Sequence, residues 1–151
     1  MFDWQHLPPI IPVFVNCAAA PRPPLARVFA FGRALGAFAA SLNCRMLLTA
    51  SGGISLDPPI PTLDGAPAPV REHTPLNPVW DQSFLKHLRD DNQVAILAMD
   101  AAAASRDGGC GGHEIRTWIA LAAGVRQFDL RYYRAIPQWL AGYAVMTANA
   151  A

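Results

Sequence analysis

Charged residues are scarce in this 151-residue chain, where Asp, Glu, Lys and Arg together make up only 15% of the sequence. Lysine is almost absent: Lys86 is the only one, and the other basic residues are arginines scattered along the chain. The formal net charge is +1. Because nucleic-acid-binding domains concentrate basic residues on one face, this pattern argues against a nucleic acid as the partner.

Cysteine is also scarce, and its spacing argues against two common kinds of site. Cys17, Cys44 and Cys110 are odd in number, lie far apart and form no Cys-x-x-Cys pair. A disulfide framework needs paired cysteines, and a structural zinc site usually takes closely spaced ones. We therefore expect neither of them, and we predict a reducing, cytoplasmic location.

The sequence shows neither a leader nor a membrane-spanning segment. The first ten residues contain no basic region followed by an apolar core, so they do not have the pattern of a secretory signal. The most apolar long stretch, residues 25–42, is interrupted by Arg27 and Arg33, which argues against a transmembrane helix. We expect no association with a membrane.

Hydrophobic residues, by contrast, are abundant and make up 52% of the chain. A chain of this length is long enough for one domain with a buried core. Soluble domains are typically about one quarter charged, so the charge deficit leaves part of the surface apolar. We predict that another chain or another domain covers that part.

The order of the apolar segments predicts an α/β fold. Residues 10–15 and 46–48 are short apolar runs typical of buried strands, although the first contains a proline. Between them, residues 25–42 repeat apolar and small side chains at helical spacing, which predicts an amphipathic helix. Strand, helix and strand in this order predict a right-handed βαβ unit, and hence a mostly parallel sheet flanked by helices. Gly32 and Gly36 are expected to let the helix approach that sheet closely.

The second half of the chain predicts mainly helices. Asn77 is expected to cap a helix that starts at Pro78, because asparagine is a preferred N-cap residue and proline suits the first turn. Two more helices are predicted at residues 93–103 and 115–125. Three segments are expected to be loops, breaks or irregular: the proline-rich residues 57–74, the glycine-rich residues 105–112 and the aromatic residues 131–143.

The turn Ser51-Gly52-Gly53, directly after the second predicted strand, is the first candidate site. Ligands of α/β proteins usually bind at the carboxyl ends of core strands. Two glycines would allow positive φ angles and a close approach of the backbone to a ligand. The chain has no Gly-x-Gly-x-x-Gly and no Gly-Lys-Ser/Thr after the turn, so a nucleotide site is not indicated. A purely structural tight turn is the alternative.

Glu114, in the first turn of the helix predicted at residues 115–125, is the second candidate. Its carboxylate could coordinate a metal ion at the start of the helix. The alternative is a favourable interaction with the helix macrodipole, worth up to about 1 kcal/mol. His113 beside it is expected to point about 100° away around the helix, so the pair should not chelate one ion.

The other three histidines do not indicate a site by their spacing. His6, His73 and His87 have no metal-ligand spacing to one another or to a carboxylate. Each is therefore interpreted as a surface or capping residue. His73 is the only one kept in mind for a site, because it lies in the loop before the helix of Asn77.

Five separated motifs, taken together, are similar to those of one family. They are PVFVN at residues 12–16, SGGISLDPPIP at 51–61, LNPVWD at 76–81, GHEIRTWIA at 112–120 and RYYRAIPQWLAGY at 131–143. In this order they resemble the class III extradiol ring-cleavage dioxygenases. The resemblance extends over nearly the whole chain but covers only the C-terminal half of such an enzyme.

The resemblance implies an incomplete iron site. Family members hold a mononuclear non-haem Fe(II) with two histidines and a glutamate, and both histidines come from the N-terminal half. Residues 1–151 are thus expected to form one partial domain without that half. The glutamate matches Glu114, which makes it the third ligand. Three protein ligands leave positions for a catechol-type substrate and O₂.

The resemblance also identifies a substitution in the candidate loop. The family carries an acid–base histidine in this loop just before the prolines, and the matching position is Leu56. Leucine cannot transfer a proton, and general acid–base catalysis is typically worth about 10²–10⁴-fold in rate. The matching residues Ser51, Gly52, Gly53 and Ser55 are expected to line the substrate pocket. The segment between the prolines and His73 is expected to be shorter than in the family.

Two functional hypotheses follow from the resemblance. In the first, the chain is a fragment or subunit of an Fe(II)-dependent extradiol dioxygenase of aromatic catabolism, and it has negligible activity and iron affinity alone. Its partner would be a chain equivalent to the N-terminal half, or another copy in a homo-oligomer. In the second, the chain is a non-catalytic relic or a partner subunit that only packs on a separate chain.

Overall fold

The computed structural model describes residue 5 and residues 7–57, 76–137 and 141–149 of the chain. Helices and strands are mixed in this part of the protein. Its elements are α1 (Leu25–Ser41), α2 (Pro78–Arg89), α3 (Gln93–Ala98), α4 (Ala101–Gly108), a 3₁₀ helix (Cys110–Glu114), α5 (Ile115–Gly124), β1 (Arg126–Ile136) and β2 (Ala141–Asn149). His6, His73 and most of the predicted proline-rich loop lie outside the described residues.

The predicted amphipathic helix is confirmed as α1, which ends one residue earlier than expected. Its glycines do permit a close approach, but to helix α5. A β-carbon on Gly36 would lie 2.2 Å from the carbonyl oxygen of Gly124, and one on Gly124 would lie 2.8 Å from that of Gly32. The backbones of α1 and α5 are therefore in direct contact along this stripe of small residues.

The predicted start of α2 is confirmed together with its cap. The Asn77 side chain accepts a 3.0 Å hydrogen bond from the backbone N–H of Trp80, and Pro78 is the first helical residue. Such caps typically contribute about 1 kcal/mol. The single helix predicted at residues 93–103 is in fact two, α3 and α4. The division falls at Asp100, whose side chain accepts from the backbone N–H of Ala103 and thereby starts a new helix.

Two segments expected to be irregular are ordered. The glycine-rich residues 105–112 complete α4, pass through Gly109 and begin the 3₁₀ helix. Gly109 has φ of +74°, which a glycine adopts without strain. The aromatic residues 131–143 belong largely to an antiparallel hairpin, in which Leu130 pairs with Met146 and Ile136 with Ala141.

The two segments predicted as strands, residues 10–15 and 46–48, form neither a helix nor a strand in the structure. The strands that the structure does describe form one two-stranded antiparallel sheet, β1–β2. A strand exists only if another strand pairs with its backbone. Within the described ranges, no backbone hydrogen bond joins either segment to another part of the chain.

The hydrophobic core lies between α1, α2, α5 and the inner face of the hairpin. Phe84 and Leu85 of α2 meet Ile115 and Ile119 of α5 there, and all four side chains are buried. Ile54 of the candidate loop is completely buried in the same core. The loop is therefore anchored by its own apolar side chain.

None of the helices described is both long enough and apolar enough to cross a lipid bilayer. Cys17 and Cys44 are free thiols.

Candidate functional site

The candidate loop and the candidate carboxylate meet in the structure. The backbone N–H of Gly53 donates a 2.6 Å hydrogen bond to Oε2 of Glu114, which is 61 residues away in sequence. Gly53 is buried and Glu114 is partly exposed. This hydrogen bond places the turn next to the Glu114 carboxylate, which supports one common site rather than two unrelated structural features.

Two further hydrogen bonds fix the same turn to α5. The Thr117 hydroxyl lies 3.0 Å from the carbonyl oxygen of Ser51, and the indole N–H of Trp118 donates a 3.0 Å bond to that of Gly52. Both donors follow Glu114 within one helical turn. The first turn of α5 therefore positions the loop and the carboxylate as one rigid unit.

The two glycines are required by lack of space. A β-carbon on Gly52 would lie 2.9 Å from the hydroxyl oxygen of Thr117, and one on Gly53 would lie 2.8 Å from the side chain of Leu56. Neither glycine has a positive φ angle, so that part of the prediction is wrong. What the glycines permit is the close approach of this backbone to α5 and to Leu56.

Ser55 contacts Asp81, whereas the turn before it contacts Glu114. Its backbone N–H and its hydroxyl donate to the two carboxylate oxygens of Asp81, at 2.8 and 3.0 Å. The Tyr133 hydroxyl donates a third bond to this carboxylate, at 2.7 Å. Asp81 is fully buried, and a β-carbon on Gly142 would lie 2.1 Å from its Oδ2. This buried carboxylate therefore joins the loop, α2 and both strands.

Burial dominates the electrostatics of this cluster. It raises the pKa of the Asp81 carboxyl above its ordinary value, while the hydrogen bonds from Tyr133 and Ser55 lower that pKa in part. The pKa of the Tyr133 hydroxyl is raised as well, by burial first and then by its hydrogen bond to Asp81 and the charge there. The phenol therefore stays protonated and remains the donor in this pair.

Leu56 is held by the glycine-rich segment before α5. Its backbone N–H donates to the Gly108 carbonyl at 2.8 Å, and its carbonyl accepts from the Gly111 N–H at 2.7 Å. Its side chain lies so close to Gly111 that a β-carbon there would come within 2.7 Å. Leu56 also forms an isolated antiparallel bridge with Ala141. At the position where the resemblance expects an acid–base group, the chain has a packed apolar side chain.

Asp57 is a second buried carboxylate that the sequence did not single out. Its Oδ1 accepts a 2.9 Å hydrogen bond from the backbone N–H of Cys110, and only 2% of the residue is exposed. A β-carbon on Gly109 would lie 2.8 Å from the Asp57 β-carbon. The carboxylate therefore caps the start of the 3₁₀ helix that leads to Glu114.

His113 is buried and points away from Glu114, as predicted. Its Nδ1 lies 3.0 Å from Nη1 of Arg116, and its Nε2 lies 2.8 Å from the Ser105 hydroxyl. Because a guanidinium only donates, Nδ1 accepts and the proton of the neutral ring is on Nε2. Burial, together with the positive charges of Arg22 and Arg116, lowers the His113 pKa to about 4. His113 is therefore a neutral packing residue near pH 7.

The structure thus divides the predicted site residues into two groups. Gly52 and Gly53 lie against Glu114 and Ser51 contacts Thr117, whereas Ser55 contacts Asp81. Sequence reasoning missed both buried aspartates, Asp57 and Asp81. Asp81 belongs to the motif LNPVWD, which could have drawn attention to it. An aspartate in the first turn of a helix is also common where it only stabilises that helix, so the motif does not distinguish the two roles.

The resemblance implies an iron ion, which would need several metal-binding side chains close together. Within the ranges that the structure describes, no three His, Cys, Asp or Glu side chains converge in a way that could hold a metal ion. His87, which lies on α2, contacts Ser83 of the same helix. These residues do not by themselves form an iron site.

Comparison with known proteins gives a consistent result. Residues 1–145 match the family described as the catalytic LigB subunit of aromatic ring-opening dioxygenase. The 2,3-dihydroxyphenylpropionate/2,3-dihydroxicinnamic acid 1,2-dioxygenase of Cupriavidus necator is 38% identical over 183 residues, which are 97% of this chain and 58% of the relative. The enzyme of the same name from Mycobacterium sp. (strain MCS) is 37% identical over 178 residues, 93% of this chain and 57% of the relative.

The chain therefore spans a little under three fifths of the length of the curated relatives that it matches. The match also indicates an internal contraction. In the Cupriavidus necator comparison, 97% of 151 residues is about 146, whereas the aligned stretch is 183 residues long, so about 37 positions of the relative have no counterpart in this chain. This agrees with the prediction that an internal segment is shorter than in the family.

Proposed function

The chain belongs to the LigB family of aromatic ring-opening dioxygenases, and we propose that it forms the C-terminal portion of an Fe(II)-dependent extradiol dioxygenase. The proposed reaction is cleavage of a catechol-type ring with incorporation of both atoms of O₂. The relatives are named for 2,3-dihydroxyphenylpropionate and its cinnamic analogue, which supports a substrate with two adjacent ring hydroxyls. A cytoplasmic location stays a prediction from the sequence.

The observation that carries this proposal is the hydrogen bond between Gly53 and Glu114. It places the loop and the carboxylate that the resemblance assigns to one active site next to each other. In the proposed enzyme, Glu114 provides one carboxylate ligand and the residues from Ser51 to Ser55 line the pocket beside it. Since Gly53 binds Oε2, the other oxygen is available to a ligand.

The proposed activity belongs to a completed assembly. Glu114 is one of three ligands that the resemblance implies, and Leu56 cannot supply the proton transfer expected at its position. No step is therefore assigned to iron held by this chain alone. The part still needed would provide the two histidines, as a preceding segment or a separate chain.

A direct test measures O₂ consumption by the purified chain with Fe(II) and 2,3-dihydroxyphenylpropionate, with and without the portion of the Cupriavidus necator enzyme that the chain does not match. The proposal predicts no turnover by the chain alone and measurable turnover by the pair. Fe(II)-dependent cleavage by the chain alone would overturn the assignment of an incomplete site. A pair that forms but never turns over would favour the second function below.

The second candidate function is non-catalytic: a relic or a subunit that only packs on a partner. The observation that favours it is the packing of the apolar Leu56 side chain against Gly53 and Gly111. In this function, the loop is retained because it holds α5, α2 and the hairpin together. Glu114 would then serve only as the acceptor for Gly53.

A further inference from the structure

An apolar segment that belongs to no helix or strand lies exposed near the start of the described residues. In residues 10–15, the exposed fractions are 72% for Ile10, 79% for Ile11, 52% for Val13 and 92% for Phe14. Four large apolar side chains within five positions are therefore in contact with solvent. Such a continuous apolar run is typical of a strand covered on both faces, not of a surface loop.

The backbone of this segment also lacks partners. Among the residues that the structure describes, none from 7 to 15 makes a hydrogen bond. In a β-strand, successive N–H groups point to opposite sides, so a strand over residues 10–15 would present those of Ile11, Val13 and Val15 along one edge. Pro12 removes a donor from the other edge. The first edge would then offer a complete set of donors and acceptors for pairing with another strand.

A groove runs beside the segment. It encloses about 300 Å³ between residues 13–16 and the first turns of α1, and its wall is made mainly by Val13, Phe14, Val28 and Phe31. The apolar lining offers little to a small polar ligand such as a catechol. It suits the apolar side chains of a packed polypeptide element.

The wall of the groove is hydrogen-bonded to the helix that follows Glu114. Pro23 forms part of that wall, and the Pro23 carbonyl accepts a 3.0 Å hydrogen bond from Nε of Arg116, two residues beyond Glu114. Burial raises the pKa of the Cys17 thiol, two residues after the segment, and the charges of Arg116 and Glu114 also act on it. An element seated on residues 10–15 would therefore lie near the helix that follows the carboxylate proposed as an iron ligand.

We propose that residues 10–15 are a docking strand, and that their occupant is a β-strand from the part of a LigB-type dioxygenase that this chain does not match. This inference rests on the proposed function, because that function assigns the two missing histidine ligands to the part of the relatives that this chain does not cover. The pairing completes a sheet at the edge of Ile11, Val13 and Val15 and seats side chains in the groove. It also accounts for the strand predicted at residues 10–15, whose backbone has no partner among the residues that the structure describes.

A second copy of this chain is the alternative occupant. It would add another Glu114 but not the region that the resemblance assigns to the two histidine ligands. The family match over residues 1–145, together with coverage of only 58% of the Cupriavidus necator relative, favours the uncovered part instead.

The experiment co-expresses the full chain, carrying an affinity tag, with the unmatched portion of the Cupriavidus necator dioxygenase. The purified material is analysed by size-exclusion chromatography with light scattering and by residue-resolved amide hydrogen exchange. We expect a one-to-one complex in which exchange at Ile11, Val13 and Val15 slows by at least about 10-fold relative to the free chain. Co-expression ensures that the test does not depend on either piece being soluble alone.

Two matched substitutions locate the contact. Phe14→Asp introduces a charge on the docking strand and should weaken the complex by at least about 10-fold. Val94→Asp is the control, because Val94 on α3 is 82% exposed and lies outside the docking strand. It should leave the affinity unchanged. Circular dichroism of both variants verifies that each remains folded.

Each other outcome is informative. Failure to recover a complex, or a complex without protection of the docking strand, overturns the proposal. A dimer of the chain alone that protects the same amides and is broken by Phe14→Asp assigns the surface to a second copy instead. A complex with the expected protection but no ring cleavage leaves the docking strand in place and contradicts the proposed catalytic function.

Discussion

Gly32 of α1 lies against the carbonyl oxygen of Ala120 in α5, so closely that a β-carbon on Gly32 would be 2.0 Å from that oxygen. Since Ala120 is in the helix that begins beside Glu114, this contact determines where the candidate carboxylate sits relative to α1. The same face of α1 continues into the groove beside residues 10–15. The packing of two helices thus positions both the site and the docking strand.

Gly32→Ala should therefore destabilise the chain, because a methyl group can be accommodated only if α1 and α5 move apart. Overpacking of this kind typically costs about 1–3 kcal/mol. The gain of about 1 kcal/mol in helix propensity from glycine to alanine offsets only part of that cost. Urea unfolding followed by circular dichroism measures the result. Ala34→Ser on the exposed side of α1 is the control, and equal stability of the two variants would contradict the close contact.

Glu114→Ala should lower stability because it leaves the buried N–H of Gly53 without its acceptor. An unsatisfied buried donor costs about 1–3 kcal/mol. Glu114→Gln is the matched variant, since its amide oxygen can still accept that bond, and it should cost less than about 1 kcal/mol. If the alanine and glutamine variants unfold at the same denaturant concentration, the hydrogen bond does not stabilise the loop. In the completed enzyme, both variants should reduce turnover because both remove the carboxylate charge.

Asp81 should make stability depend on pH in a defined direction. Burial raises its pKa in the folded chain above the ordinary 3.8. A raised pKa means that this carboxyl contributes its stability fully below the unfolded value and loses it as the pH rises through the folded pKa. We expect the wild type to lose stability over this range relative to Asp81→Asn, which cannot titrate. Thermal unfolding of both proteins from about pH 3 to pH 7 measures the difference.

Tyr133→Phe provides the control for that pH series. It removes one hydrogen bond that lowers the Asp81 pKa, so the loss of stability should extend to higher pH than in the wild type. A shift of the transition toward lower pH would contradict the assignment of the titration to Asp81. The variant should also be less stable near pH 7 by about 1 kcal/mol, because the carboxylate loses one of its donors.

Leu56→His should not create activity in the chain alone. It introduces an imidazole at the position that the resemblance assigns to acid–base catalysis, but the other iron ligands are still missing. It should also cost about 1–2 kcal/mol, because the leucine packs against Gly53 and Gly111. Leu56→Met, which keeps an apolar side chain, should cost less. Measurable O₂ consumption with a catechol by Leu56→His alone would overturn the account of this site.

The features that could be predicted from sequence are those that neighbouring residues determine. The apolar repeat of α1 and the cap of α2 at Asn77 depend on contacts within one or two turns, and both are confirmed. The division at Asp100 was missed because a helix of the same composition could have continued through it. Helix capping decides such a case by one hydrogen bond, which composition does not reveal.

Strands were harder to predict because their pairing is not local. The apolar runs at residues 10–15 and 46–48 have strand composition, yet neither has a partner among the described residues. Residues 131–143 were predicted to be irregular. In the structure, β1 pairs with β2 a few positions later and forms a hairpin with two irregularities in its register. Whether an apolar run becomes a strand depends on what lies beside it in space.

The sequence by itself determined the family, the helix α1 and the start of α2, because motifs, helical periodicity and capping are properties of nearby positions. Only the tertiary structure brought Gly53 to Glu114 and gathered Ser55 and Tyr133 around the buried Asp81. These contacts join residues between 26 and 61 positions apart. They form because the packing of the helices and the hairpin brings distant parts of the chain together. No local sequence pattern encodes this packing.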